Sequence, residues 1–199
     1  MKQQFKNVTL TRVKVRNNIL KVWNEATEAD KFDWYQDAYN YAQVLESTYL
    51  DEDGDHVKQL SKTAGIIAAL SPMVSWDRNK QLAEMIFRTK TEYMPCLKAN
   101  ARKAKLILES DGSDEAILNI LKGAKTSAFY LNIRYPEKAI ALTMDRHAVS
   151  ICIGEKIEPQ MTAKQYEFFS QCYRWTAAQL GISPLLLQSA TWVVWRRRK

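Results

Sequence analysis

A chain of 199 residues with 29 Lys and Arg against 22 Asp and Glu carries a formal net charge of +7. That length suffices for one domain, or two small joined lobes, and removes the need for disulfide or metal staples. The charge excess speaks of partners rather than fold: it points to a polyanion, of which nucleic acid is the commonest, against the plainer reading of ordinary solubilising charge.

Helical periodicity runs through the chain. In the segment Asp30 to Leu50, Trp34, Ala38, Tyr41, Ala42, Leu45 and Tyr49 recur at three- and four-residue steps. Val57, Leu60, Ala64 and Ile67 repeat the pattern, and Pro72 ends that helix because it cannot donate the next backbone bond. Ser75 is expected to cap a helix carrying Leu82, Met85 and Ile86, Asn100 a short basic helix, and Ser113 a further one with Asp114 and Glu115 in its first turn. Thr162 and Gln165 form a capping box ahead of Tyr166, Phe169, Tyr173, Thr176, Ala177 and Leu180. Gly181 then closes that helix, and Ser183-Pro184 opens a last one with Leu186, Leu187, Ala190, Val193 and Val194 turned inward. No strand-period segment of useful length is found. The pattern predicts an all-α fold of roughly nine or ten short helices.

Three cysteines, Cys96, Cys152 and Cys172, lie far apart with no C-x-x-C pair, which reads as buried free thiols in a reducing compartment. The opening residues lack the apolar run of a signal peptide, and no stretch approaches a membrane span. A cytoplasmic protein with no membrane partner is expected. The acidic run Asp51 to Asp55 invites comparison with a calcium loop, but Gly54 falls at position four and Lys62 at position twelve, where such a loop needs glycine at six and glutamate at twelve. A solvated loop is the better reading, and no metal or other cofactor is expected.

Three segments in order carry a resemblance: IIAALSPMVSWDRNKQLAEMIF, then NARKAKLILESDGSDEAILNILKGAKTSAFYLNI, then ALTMDRHAVSICIG. Together, from about Ile66 to Gly154, they resemble the endonuclease III branch of the helix-hairpin-helix DNA glycosylases. That family shows an apolar helix ending in a small-residue turn, an N-x-K-A-x-x-I helix, an LPGVG-x-K-T-A hairpin and a V-D-T-H segment opening a helix. The resemblance implies a two-lobed all-α glycosylase-like fold within one globular unit. One lobe would hold the terminal helices, roughly 1–60 and 155–199, and the other the helix-hairpin-helix core, roughly 61–154.

The D-x-H segment carries the chemistry. The resemblance makes Asp145, in MetAspArgHis, the carboxylate that stabilises positive charge on the sugar as the glycosidic bond breaks. The plainer role for Asp145 is a helix N-cap, and the two are compatible because a capping carboxylate is held rigidly. His147 is expected to support rather than react, and Arg146 to meet DNA. Lys122, Gly123, Ala124, Lys125, Thr126 and Ser127 match the hairpin, which offers backbone amides at a helix start to a DNA phosphate. The match is shorter than the family's and keeps one glycine. With a two-residue gap, Lys125 becomes a Schiff-base lysine, partly buried beside the following apolar residues. Without it, Ser127 takes that position and water attacks. Both alignments stay open at this point, as does the plain reading of Lys125 as a phosphate contact.

Ser71, Met73, Val74 and Trp76 sit where relatives line the base pocket or enter the stack left by an extruded base, and Tyr130 or Trp76 would stack on that base. Core packing is the competing reading for each. The family's four-cysteine iron–sulfur loop is missing. The C-terminal segment GISPLLLQSATWVVWRRR, with AspArgHis, is similar to small phage-encoded proteins of unknown function, which would place the protein in a host cytoplasm. The function implied is a DNA N-glycosylase, with AP-lyase activity if Lys125 attacks, acting as a monomer on double-stranded DNA. The alternatives are a non-catalytic DNA-binding protein of the same fold and a viral base-hypermodification enzyme acting on altered pyrimidines.

Overall fold

The computed structural model describes every residue except 1, 6, 7, 51, 52, 140, 159 and 199. Among the described residues, ten α-helices follow a short antiparallel hairpin of β1 (Lys2–Phe5) and β2 (Val8–Thr11). They are α1 (Arg12–Trp23), α2 (Trp34–Tyr49), α3 (His56–Leu70), α4 (Trp76–Thr89), α5 (Lys98–Glu109), α6 (Asp114–Leu121), α7 (Ala124–Arg134), α8 (Arg146–Ile153), α9 (Ala163–Leu180) and α10 (Pro184–Arg197). The molecule is thus mostly helical, with two departures from the periodicity reading. The strands are only four residues each, in a register pairing Gln4 with Thr9, too short to leave an alternating signature. The face of α1, with Val15, Ile19 and Val22 buried, is interrupted by lysine and arginine on its other sides.

The chain divides into two compact units, residues 1–35 with 141–199, and residues 36–140. This puts α8 and Asp145 with the terminal helices, whereas the sequence expectation grouped them with the hairpin.

In the first unit α1 packs on α8, α9 and α10. Buried Ile19, Val149, Phe169, Tyr173, Leu187 and Val194 make its core. Asn18 of α1 donates from Nδ2 to the Cys152 carbonyl at 2.9 Å, supplying one of the partners that the end of α8 lacks. Phe5 of the hairpin meets Phe169 edge-on with ring centroids 5.7 Å apart. All three cysteines are free, with Cys152 and Cys172 buried and Cys96 half-buried.

The second unit is built around α3. From Leu60 to Leu70 every residue except Lys62 is buried, and α4, α5, α6 and α7 all contact this helix. Gly65 is what lets α5 and α6 approach: a Cβ there would stand 2.9 Å from Ile117 Cγ2 and 3.2 Å from Ile107 Cγ2. Val57, expected on the buried face, is instead 64% exposed, because the first turn of α3 precedes the packed stretch. Capping follows the sequence closely at Ser75, Ser113, Thr162 and Ser183. Asn100 does not cap α5; the helix starts earlier, at Lys98, and the Asn100 amide donates to the Pro72 carbonyl at 3.5 Å.

Of the acidic run 51–55, Asp51 and Glu52 lie outside the described residues. Asp55 N-caps α3, accepting from the Val57 and Lys58 amides. Among the described residues no three His, Cys, Asp or Glu side chains cluster as a metal site, and no helix is long and apolar enough to cross a membrane.

Candidate carboxylate site and nucleic-acid interface

Asp145 is the N-cap of α8. Its backbone is extended (φ −85°, ψ −179°), and its Oδ1 accepts from the Ala148 amide at 2.8 Å. The other oxygen, Oδ2, accepts from the indole Nε1–H of Trp192 on α10 at 2.9 Å. Two donors from two helices therefore fix the carboxylate plane, and each oxygen keeps a second lone pair. The side chain is half-buried.

The segment before it is held by Tyr166. This hydroxyl donates to the Leu142 carbonyl at 2.7 Å and accepts from the Met144 amide at 3.1 Å. Burial, and behind it the charge of Asp145, pushes the Tyr166 hydroxyl up to about 12, so it remains a donor at neutral pH.

His147 packs edge-on against Trp192 with centroids 6.0 Å apart. Burial lowers its pKa, Asp145 opposes that shift, and Arg146 and Arg196 add to it. A neutral ring is consistent with the Arg146 Nε–H, which is directed at His147 Nε2 at 3.4 Å. Arg146 itself is exposed and ion-pairs with Glu158 at 3.0 Å. The Arg196 guanidinium lies 4.7 Å from the centroid of Trp192.

Sequence reasoning assigned Asp145, Arg146 and His147 and missed the residue that connects them. On helical spacing alone Trp192, like Trp34 and Trp195, reads as core or lobe contact. Its spacing to Arg196, one helical turn, was available; its contact with a carboxylate 47 residues away was not.

The hairpin residues form a site in the second unit. Helices α6 and α7 are joined by Lys122 and Gly123. The left-handed residue of the turn is Lys122 (φ 59°), not Gly123 (φ −89°). A Cβ on Gly123 would meet only Thr126 Oγ1, at 3.0 Å, and Leu121 O, at 3.9 Å. What glycine supplies here is an open approach rather than a special dihedral.

Gly123 caps α7 without a side chain, and no acidic residue occupies the first turn. The Thr126 hydroxyl is directed back to the Gly123 carbonyl at 3.1 Å, and the first backbone bond of the helix runs from the Ser127 amide to that same carbonyl at 2.9 Å. The amides of Ala124, Lys125 and Thr126 precede it, so they project from the helix start as donors. Lys122, Gly123, Ala124 and Lys125 are exposed, and Thr126 and Ser127 half-buried. The expectation of a partly buried Lys125 does not hold: the second residue of α7, it is exposed.

Tyr130 also departs from expectation. It is fully buried, and its hydroxyl donates to Asp114 Oδ1. Tyr135 donates to Asp114 Oδ2 at 2.6 Å, and the buried Arg134 donates from Nε to Ser61 Oγ at 2.9 Å. This network ties α6, α7 and α3 together, so Tyr130 holds the hairpin's helices and cannot stack on a base.

Met73 is 85% exposed with a left-handed backbone, φ 69°. Val74 is half-buried, and Ser71 donates from Oγ to the Ala68 carbonyl at 2.9 Å. Trp76, the first residue of α4, is half-buried against Tyr41, ring centroids 5.9 Å apart.

The charge excess is confined to one unit. Residues 1–35 and 141–199 hold 15 Lys and Arg against 8 Asp and Glu, whereas residues 36–140 hold 14 of each. All seven excess charges therefore accompany Asp145.

Fold and sites define a helical protein with two prepared features: a rigid carboxylate at one helix start, and an uncapped, lysine-flanked start at another, reached through a two-residue turn. Over residues 1–199 the chain matches the family described as "Family of unknown function (DUF7178)", and it belongs to that family. No curated protein and no solved structure matches it.

Proposed function

We propose that this protein is a DNA N-glycosylase acting on a modified or damaged base in duplex DNA. The observation that carries the proposal is the immobilised carboxylate of Asp145, oriented by Ala148 and Trp192 at the head of α8. As the N-glycosidic bond breaks, its electron pair leaves with the base and positive charge develops at C1′. A carboxylate already fixed by two donors stabilises that charge without having to reorganise. Water then adds to C1′, and the proton it gives up ends on the departed base, so that sugar hydroxyl and neutral base are the products.

The α6–α7 hairpin would hold the backbone. Its first-turn amides, with Lys122 and Lys125, suit a phosphate oxygen by geometry and by charge. Exposure of Lys125 supports the water-attack route over the Schiff base. Met73 is the residue suited to enter the vacated stack, being apolar, protruding and fixed in an unusual backbone conformation.

A second reading has its own observation. Two hydrogen bonds on Asp145 are also what a structural cap requires, so a DNA-binding protein without chemistry would keep the same geometry. Single-turnover incubation with a panel of duplexes, each carrying one modified base, tests the choice. Release of a free base by the parent and not by Asp145→Asn supports the glycosylase. Duplex binding with no release across the panel supports the binding protein.

A further inference from the structure

The C-terminal arginines do not act as one block. Arg197 ion-pairs with the buried Asp30 at 2.7 Å, and Arg198 with Glu25 at 2.6 Å. Both fasten the end of α10 to the segment before α2. Arg196 pairs with neither carboxylate; its exposed guanidinium lies over the face of Trp192. Stacking on a ring uses the flat face of the cation and leaves its in-plane N–H groups free.

Arg146 is the complementary group on α8. Its ion pair is with a glutamate whose side chain is 80% exposed, a class of contact worth about 0–1 kcal/mol and cheaply exchanged. Its Nε–H is directed at His147, which itself packs on the ring that Arg196 covers. Two guanidinium groups from two helices thus border one Trp–His pair, next to a single carboxylate. Paired with Glu158, Arg146 is neutralised; once Glu158 swings aside, the two guanidinium charges exceed the one on Asp145, and an incoming anion meets net attraction.

We propose that Arg146 and Arg196 form a phosphate subsite beside Asp145, with Trp192 and His147 as its floor. A guanidinium fork matches two phosphate oxygens at once, and Glu158 is displaced when Arg146 turns to the phosphate. The phosphate is the DNA phosphodiester adjoining the nucleotide on which Asp145 acts. That source rests on the proposed function; the affinity for phosphate rests on the two arginines alone.

The test uses the full chain and needs no knowledge of the base. A labelled duplex with one tetrahydrofuran abasic analogue is titrated by fluorescence anisotropy across a salt series. Inorganic phosphate is titrated separately by calorimetry. Arg146→Gln and Arg196→Gln are each expected to weaken duplex binding about fivefold to tenfold, and to reduce the log–log salt slope by about 0.9. Arg196→Lys should recover the slope but not the full affinity, since it restores charge without the planar fork. Parent-like affinity and slope in both glutamine variants would overturn the subsite.

If the parent binds no duplex at any salt concentration, the proposed function fails and the phosphate arm decides. Calorimetric binding of inorganic phosphate by the parent, lost in Arg196→Gln, would keep the site as one for a phosphate monoester. No binding in either arm would remove it.

Discussion

The indole N–H of Trp192 reaches Asp145 Oδ2 at 2.9 Å and so joins the middle of α10 to the first turn of α8. The carboxylate expected to perform chemistry is thereby oriented by a side chain from the far end of the sequence. Through the same ring, Asp145, His147 and Arg196 are connected.

Replacing Asp145 with Asn should slow base release by more than about 100-fold, because an amide supplies no negative charge at the developing cation. Trp192→Phe keeps the ring for Arg196 and His147 but removes the N–H. Loss of one hydrogen bond to a charged group predicts a fall of about tenfold or more in the single-turnover rate. Duplex affinity should change little in Asp145→Asn. Equal rates for parent and Asp145→Asn would remove Asp145 from the mechanism.

At Lys122 stability and binding should separate. The residue holds φ at 59° with a side chain that disfavours that region. Lys122→Gly is expected to stabilise the fold by about 0.5–1 kcal/mol, read by urea denaturation, while weakening duplex binding through the lost charge. A destabilised glycine variant would show that the lysine side chain does more for the turn than its backbone strain costs.

Lys125→Gln should weaken duplex binding and lower the salt slope by about 0.9, sparing the chemical step. Borohydride added during turnover should trap no covalent complex. A trapped species that vanishes in Lys125→Gln would restore the Schiff-base route that the exposure of Lys125 disfavours.

Asp30 gives the fold a pH dependence. The Thr27 backbone amide is the largest cause holding its carboxyl below the ordinary 3.8, and the Thr27 hydroxyl and Arg197 add to it against the opposing effect of burial. A depressed carboxylate contributes stability above its unfolded pKa and loses it as pH falls through the folded one. Asp30→Asn should therefore cost about 1–2 kcal/mol at pH 7. Thermal melts of parent and variant should converge as pH falls below the ordinary carboxylate value. A constant gap down to pH 2 would assign the loss to packing instead.

Local signals carried the sequence reading, and long-range ones limited it. Ser75, Ser113 and Thr162 cap helices because the acceptor and its amide lie three residues apart, a relationship visible in any window of the chain. The helical character and the Asp145 cap were legible for the same reason. Tyr130 was misplaced because nothing local distinguishes a tyrosine that stacks on a base from one that donates to Asp114, 16 residues away. Helical spacing marks Trp192 as core or lobe contact and says nothing of its N–H: the ring packs against His147, while the N–H is committed to Asp145. The sequence sets Lys125 close to apolar residues of α7, but the buried ones, Ala128 and Tyr130, come later in the helix, while Ala124 and Lys125 in its first turn are exposed.

The packing of α3 has a mechanical consequence for the loop that follows it. Met73 sits three residues beyond a helix stretch, Leu60 to Leu70, that is buried at every position but Lys62. The loop's root is further pinned by Asn79, whose amide donates to the Ile67 carbonyl at 3.0 Å, and by Asn100 on Pro72. A wedge driven between stacked bases must bear a reaction force, and a compliant loop would fold back rather than push. If Met73 enters a base stack as proposed, that load would pass into α3, the helix on which α4, α5, α6 and α7 all pack.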